Sequence, residues 1–508
     1  MKGRENGTGT FLLPLYNIIL IKPFMKMKIL TRATWAILLG GLLVLGACSK
    51  DNDDDEDVVS KETQDRNQFA MNLMTDLYLW NDHAKSMVNS LNLSVKKEED
   101  PVKFFGKMVY PDDLWSFMTD DMDRLIAQIN NESTSYGYYL GLYKFNNSNA
   151  WYGVVWYVYP GTPADKAGLT RGDIIMKMNG GDITADNYLG LVTSSSVQIE
   201  LGEVSGSSIS PSGITKQMTS VKMYQDPVVY HNTIDAGTKK IGYLMYTNFV
   251  MASHDTLQKV FQEFKANNVD DIILDLRYNG GGTTLTAELI CDILAPENIV
   301  TGKNNVMVID KYNQNFKESV TYFSQQLKYT SNNQTVTEPV TVNMNLPRVF
   351  ILTSEDTASS SELVIAGLRP YMEVILIGDT TYGKCYGGPL IDREYYEYLY
   401  SIKAPNLENW GAYFMMFKST NKNNEDYSSG FNPNSNNKIS DLHLVAPYGS
   451  LEDPLIARAM EIITGVRPTR SIGHSDVLEN SLQPVQNKLP KTTGFDGMID
   501  MKVLENIR

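Results

Sequence analysis

The chain has 508 residues, with 45 lysines and arginines against 59 aspartates and glutamates, a net charge of −14. From Cys48 onward the balance is 39 basic to 58 acidic residues, or −19, because the first 47 residues hold six basic groups and one acidic one. That excess argues against a nucleic-acid partner, and three cysteines are too few for a disulfide-stapled framework. No internal repeat is visible, and the length suits three modules.

At the N-terminus, Met25-Lys26-Met27-Lys28 and Arg32 precede 13 apolar residues, Trp35 to Ala47. That run is too short to span a bilayer and has the length of a secretory signal core, so residues 1–47 read as a signal peptide, with Met25 the better start. Leu45-Gly46-Ala47-Cys48 resembles a lipoprotein signal, which implies cleavage before Cys48 and lipidation of its thiol; ordinary cleavage beside an incidental cysteine is the alternative. Residues 48–64, with acidic Asp53 to Asp57, read as a tether. It is either a solvated spacer or, as in some outer-membrane lipoproteins, a signal for export to the cell surface. The expected location is the cell envelope, anchored to the outer membrane by lipid.

Residues 65–130 show helical periodicity at Phe69, Leu73, Leu77 and Trp80. They are expected to form a small helical domain without chemistry of its own, packed beside the next module. Within 136–225, Tyr159-Pro160-Gly161-Thr162-Pro163-Ala164 leads through Gly168-Leu169 to Arg171-Gly172-Asp173-Ile174-Ile175. This order resembles a PDZ domain of the bacterial protease type. The resemblance implies capture of an extended peptide as an added strand, with its terminal carboxylate on backbone amides. It places Tyr139, Leu140, Gly141 and Leu142 as the carboxylate loop; a domain that only packs on the core is the alternative. The Ser/Gly-rich stretch 204–214 reads as a loop.

Residues 228–466 alternate strand and helix patterns, with strands at 241–248, 271–277, 349–353 and 373–377 and helices at 253–266, 284–295 and 360–368, which implies an α/β core. Residues 300–346 read as a polar insertion with strand character. In 393–417 the alternation Tyr396-Glu397-Tyr398-Leu399-Tyr400 reads as tyrosines facing a sheet rather than marking a carbohydrate platform, with a place in a substrate groove as the alternative. Cys291 is expected as a buried thiol, and Cys385 has no activating partner in view.

Three segments of this core carry chemistry. Ile272 to Arg277 runs into Tyr278-Asn279-Gly280-Gly281-Gly282, a strand-to-helix loop able to present amides to a carbonyl. Thr357-Ala358-Ser359-Ser360-Ser361-Glu362 puts Ser359 at a helix N-terminus, as a hydroxyl nucleophile or merely a capping-box residue. Lys384 follows in Thr381-Tyr382-Gly383-Lys384; no histidine lies between His254 and His443, so lysine is the base in reach.

In this order and spacing the three segments resemble the C-terminal processing (tail-specific) peptidases. The resemblance implies Ser359 as nucleophile, Lys384 as base, and the amides of Ser360 and of Gly281 or Gly282 as oxyanion donors. It implies an α/β multidomain chain with a crotonase-like ββα core, a PDZ domain and a small helical N-terminal domain, acting on polypeptide C-terminal ends without metal or cofactor. Gly430-Phe431-Asn432-Pro433 and the helix from Asp453-Pro454 match further family elements. One departure stands out: where the family often has a glutamine that orients the lysine, this chain has Gly388. The competing reading is a catalytically inactive lipoprotein that binds peptides or envelope polymers. Residues 467–508 carry no readable signal.

Overall fold

The computed structural model describes residues 58–145, 150–205, 208–331, 334–441, 446–466, 482–485, 495, 497–500 and 502. The signal peptide, Cys48 and the run Asp53 to Asp57 lie outside them. Among the described residues no helix is long and apolar enough to cross a membrane.

The N-terminal part holds α1 (Lys61–Asn72), α2 (Asn81–Ser90), α3 (Pro101–Gly106), the short strand β1 (Phe117–Thr119) and α4 (Met122–Ile129). Ser60 starts α1 and Asp121 starts α4, each accepting a hydrogen bond from a first-turn amide. This part packs on the core. Phe69 meets Tyr396 at 4.9 Å, Asn313 donates to the Tyr78 carbonyl, and β1 pairs with a core strand at 411–413.

The second part is a sheet of β2 (Tyr138–Phe145), β3 (Trp151–Val158), β4 (Ile174–Met178), β5 (Ser196–Ser205) and β6 (Ser208–Thr219), in that order, with α5 (Pro163–Lys166) between β3 and β4. It has its own apolar cluster, including Leu140, Leu142, Val155, Ile175, Val197 and Leu201. Two expectations are corrected here. Tyr139 to Leu142 form part of β2, not a loop, because their backbones pair with β3 while Leu140 and Leu142 fill the cluster. Of the stretch 204–214, residues 204–205 and 208–214 lie in the antiparallel arm of β5 and β6; the polar residues there sit on an arm that has little to bury.

The core is built on five strands. β7 (Val228–Asp235) runs antiparallel to β8 (Lys240–Tyr246); then β9 (Asp271–Asp275), β10 (Arg348–Thr353) and β11 (Glu373–Gly378) continue parallel to β8. Side chains alternate across such a sheet. Leu244, Ile272, Leu274, Val349 and Ile351 face helices α6 (His254–Ala266), α7 (Thr284–Leu294) and α8 (Ser360–Leu368). Tyr243, Met245, Ile273, Phe350 and Leu352 face the other way, onto the closing helix α10 (Pro454–Thr464), which Asp453 caps. With both faces covered, the strands read as continuous apolar runs. Residues 306–339 supply four further strands.

Residues 393–400 are a helix, α9 (Arg393–Tyr400), and not a strand. Asp392 caps it, and Tyr396 and Tyr400 sit four residues apart on one face, their rings 4.8 Å apart. Tyr396 is buried, which leaves no exposed tyrosine row. The chain returns late in short strands: Leu482–Pro484 on the free edge of β2, and Met498–Ile499 beside Gly282–Thr283.

Candidate active site

Three loops leave the C-terminal ends of the adjacent parallel strands β9, β10 and β11, the place where open α/β sheets bring ligand-binding groups together. They carry the glycine run, Ser359 and Lys384.

Ser359 sits just before α8 with φ of 62° and ψ of −116°. An L-residue in that region costs about 1–3 kcal/mol, and such strain collects at functional turns. Its side chain is fully buried, and Oγ has no hydrogen-bond partner among the described residues. Ser359 therefore does not act as a side-chain cap. The neighbouring hydroxyls are engaged: Ser360 Oγ donates to the Gly282 carbonyl at 2.8 Å, and Ser361 Oγ to the Asn279 carbonyl at 2.9 Å. These bonds stitch the start of α8 to the glycine loop.

Glu362 organises the serine and lysine loops, a role hidden behind its capping-box spacing. Its buried carboxylate accepts from the Ser359 amide at 2.9 Å and the Lys384 amide at 2.8 Å through Oε2. Through Oε1 it accepts from the Gly383 amide at 2.7 Å and the Thr381 hydroxyl at 2.5 Å. Burial pushes its pKa up, and the four donors oppose that shift.

Lys384 is 2 % exposed. Its Nζ lies 5.1 Å from the ring centre of Trp115 and 5.6 Å from that of Tyr413, within cation–π range. Trp115 belongs to the N-terminal part, whose sequence carries no sign of chemistry. Because Ser359 Oγ is unpartnered, Lys384 Nζ makes no hydrogen bond to it in this conformation. Gly388 has a steric reason: a Cβ there would stand 1.8 Å from the Phe414 carbonyl oxygen, so no glutamine fits. Cys385 is buried, and burial pushes its thiol up to about 12, far from a thiolate at neutral pH.

The amides expected as oxyanion donors are unequal. That of Ser360 has no partner among the described residues, as suits the N-terminus of a helix. The Gly281 amide donates to Asn279 Oδ1 at 3.0 Å, and the Gly282 amide donates to the Gly497 carbonyl at 2.6 Å. Gly281 and Gly282 have φ of 117° and 132°, which only glycine adopts readily. A Cβ at Gly281 would lie 2.7 Å from the Gly497 oxygen and 3.1 Å from Ser359 Oγ, so the gap is closed from both sides.

Just before the glycines, Arg277 is buried among Asp275 at 2.7 Å, Asp453 at 2.8 Å and Asp441 at 2.9 Å. The next residue, Tyr278, stacks on Trp156 of β3 at 4.9 Å, which joins the second module to this loop. No group of acids, histidines and cysteines among the described residues could hold a metal ion.

Residues 240–392 match the sequence profile of peptidase family S41. The chain is similar to the carboxy-terminal processing protease CtpA of Bacillus subtilis, 28% identical over 232 residues (44% of this chain and 42% of that protein). It is also similar to carboxyl-terminal-processing peptidase 3 of Arabidopsis thaliana chloroplasts, 25% identical over 244 residues (44% and 41%). The matches thus span about two fifths of the length of these relatives. Among solved structures, a protein assigned as an S41 protease from Bacteroides fragilis aligns over 78% of this chain and 97% of its own, at 27% identity and a TM-score of 0.62. The S41 profile covers β8 through the Lys384 loop, and so all three loops described above.

Proposed function

We propose that the protein is a serine endopeptidase of the cell envelope that cleaves polypeptides near their C-terminal ends with a Ser359–Lys384 dyad. One observation carries this reading: a single buried carboxylate, Glu362, holds the backbones of Ser359 and Lys384 together beside a glycine loop. Neutral Lys384 takes the Ser359 proton as Oγ attacks the scissile carbonyl carbon. The oxyanion is held by the unpartnered Ser360 amide and by the Gly282 amide, which already donates to a peptide carbonyl here. The protonated lysine returns its proton to the leaving amine. Water then hydrolyses the acyl-enzyme. The core is read as the crotonase-like ββα fold, and residues 136–225 as a PDZ domain whose edge strand β2 takes a substrate's C-terminal end by strand addition. Lipidation of Cys48 would tether the whole to the outer membrane.

The binding-only reading has one observation in its favour, the absence of a hydrogen bond between Lys384 Nζ and Ser359 Oγ. Cleavage of an unfolded protein separates the two. The protein from Val58 onward should cut, and Ser359→Ala and Lys384→Ala should each abolish cutting while staying folded. Equal activity in all three would refute the assigned dyad. For the anchor, radiolabelled fatty acid should enter the full chain and not Cys48→Ala.

A further inference from the structure

We propose that the protein's own C-terminal segment is the resident ligand of both peptide-binding surfaces, which keeps the enzyme latent until that segment is displaced. This inference rests on the peptidase reading above and adds the first occupant of its groove.

Two short stretches of the tail carry it. Met498–Ile499 runs parallel to Gly282–Thr283, with Gly282 opposite Met498 and Thr283 opposite Ile499. On its other side Ile499 bridges to Gly388, where the Gly388 amide donates to the Met498 carbonyl at 3.0 Å and the Asp500 amide to the Gly388 carbonyl at 3.3 Å. Tyr413 Oη donates to the Met498 carbonyl at 3.0 Å. The ring of Phe495 packs edge-on against the same tyrosine at 4.8 Å. An extended segment is therefore held between the glycine loop and the segment after Lys384. Its Gly497 carbonyl accepts from Gly282, as a substrate carbonyl would.

The second foothold is the edge of β2. Leu482, Gln483 and Pro484 pair antiparallel with Phe145, Lys144 and Tyr143, and the Val485 amide donates to the Leu142 carbonyl at 2.9 Å. Val485 packs on the apolar cluster of that module. This is strand addition at the strand that carries Leu140, Gly141 and Leu142. Strands of three and two residues hold only weakly by themselves, yet a tethered ligand acts at an effective concentration on the order of millimolar, so occupancy is high while release stays possible.

The experiment compares purified protein with Met498→Asp, which puts a charge at a fully buried tail position, and with Val485→Asp at a half-buried one. Cleavage of an unfolded protein should rise roughly tenfold in Met498→Asp and by less in Val485→Asp, as expected when an occupant bound about nine-tenths of the time is released. A synthetic peptide of residues 494–502 should slow the faster variant again. A second readout needs no activity: in a Ser359→Ala background, hydrogen exchange at the Gly282 and Gly388 amides should quicken at least tenfold with Met498→Asp. Faster exchange with no cleavage in any variant leaves the occupant in place and removes the peptidase reading. Unchanged cleavage and unchanged exchange in folded Met498→Asp overturn the proposal. If that variant fails to fold, unchanged cleavage in Val485→Asp does so.

Discussion

Replacing Glu362 by glutamine tests whether one carboxylate assembles the site. The substitution keeps size and shape but exchanges an acceptor for a donor. The native carboxylate accepts four hydrogen bonds, two per oxygen. Placed at Oε1, the new amide faces the Gly383 N–H and Thr381, whose hydroxyl already accepts from the Phe431 amide at 2.7 Å. Placed at Oε2, it faces the amides of both Ser359 and Lys384. Either way at least one buried N–H is stranded, at about 1–3 kcal/mol each, and the remaining bonds lose their charge assistance. A fall in stability of about 2–4 kcal/mol follows, measured by urea unfolding. Activity should fall further than stability explains, because both functional loops lose their shared anchor. A shift of about 1 Å is enough for roughly hundredfold in kcat. Asp271→Asn is the control, since Asp271 pairs with Arg348 at the opposite end of the sheet and its loss should lower stability while sparing kcat. Glu362→Gln within about 0.5 kcal/mol of wild type and within about twofold in kcat would refute the reasoning.

Gly388→Gln should destabilise the protein by about 3 kcal/mol or more, since the new Cβ meets the Phe414 backbone; wild-type stability in urea would show that the backbone yields there. Trp115→Ala should lower kcat about tenfold with a loss of about 1 kcal/mol in stability, because it removes the ring over Lys384; an unchanged kcat would deny Trp115 a positioning role. Asp310 predicts a pH effect. Burial, with Asp500 and Glu288 nearby, pushes its carboxyl from the usual 3.8 up to about 8, against the Ser419 hydroxyl and Lys502. The folded protein then keeps a proton that the unfolded chain releases, so stability from this group declines as pH rises from about 4 to about 8. Asp310→Asn should flatten that decline, and parallel stability curves for the two proteins would refute it.

Much of the site was legible because it is local. The strands before Gly280, Ser359 and Lys384 are apolar runs, and each loop follows its strand within a few residues. What was not legible is long-range or steric. Trp115 reaches Lys384 across some 270 residues of chain, with no spacing to mark it. Glu362 was visible, but the capping-box spacing explained it too cheaply, and three of its four bonds reach a loop some 20 residues on. The constraint at Gly388 is the backbone carbonyl of Phe414, in the short connection after the strand at 411–413, which a sequence pattern cannot display. Tyr396 to Tyr400 misled because a three-tyrosine alternation also contains a helical i, i+4 pair. The tail strands are too short to carry any period.

The junction between the second module and the core shows where movement is least costly. Arg277 holds three carboxylates at 2.7 to 2.9 Å, all within the core. Arg171, from the second module, reaches the shared Asp453 at 3.6 Å, the Tyr278 hydroxyl at 3.2 Å and the Ala446 carbonyl at 2.9 Å. Removing Arg171 from Asp453 leaves that carboxylate paired with Arg277, so no buried charge is stranded. Removing Arg277 would leave Asp275 and Asp441 without a cation and Asp453 with only the 3.6 Å contact to Arg171. A displacement of the second module would therefore break the Arg171 contacts and the Trp156–Tyr278 stack first, leaving Arg277 and the base of the glycine loop intact. The tail holds on to both sides of that junction, at β2 and at Gly282. Whatever removes it from one foothold weakens its effective concentration at the other, which ties opening of the groove to occupancy of the module's edge.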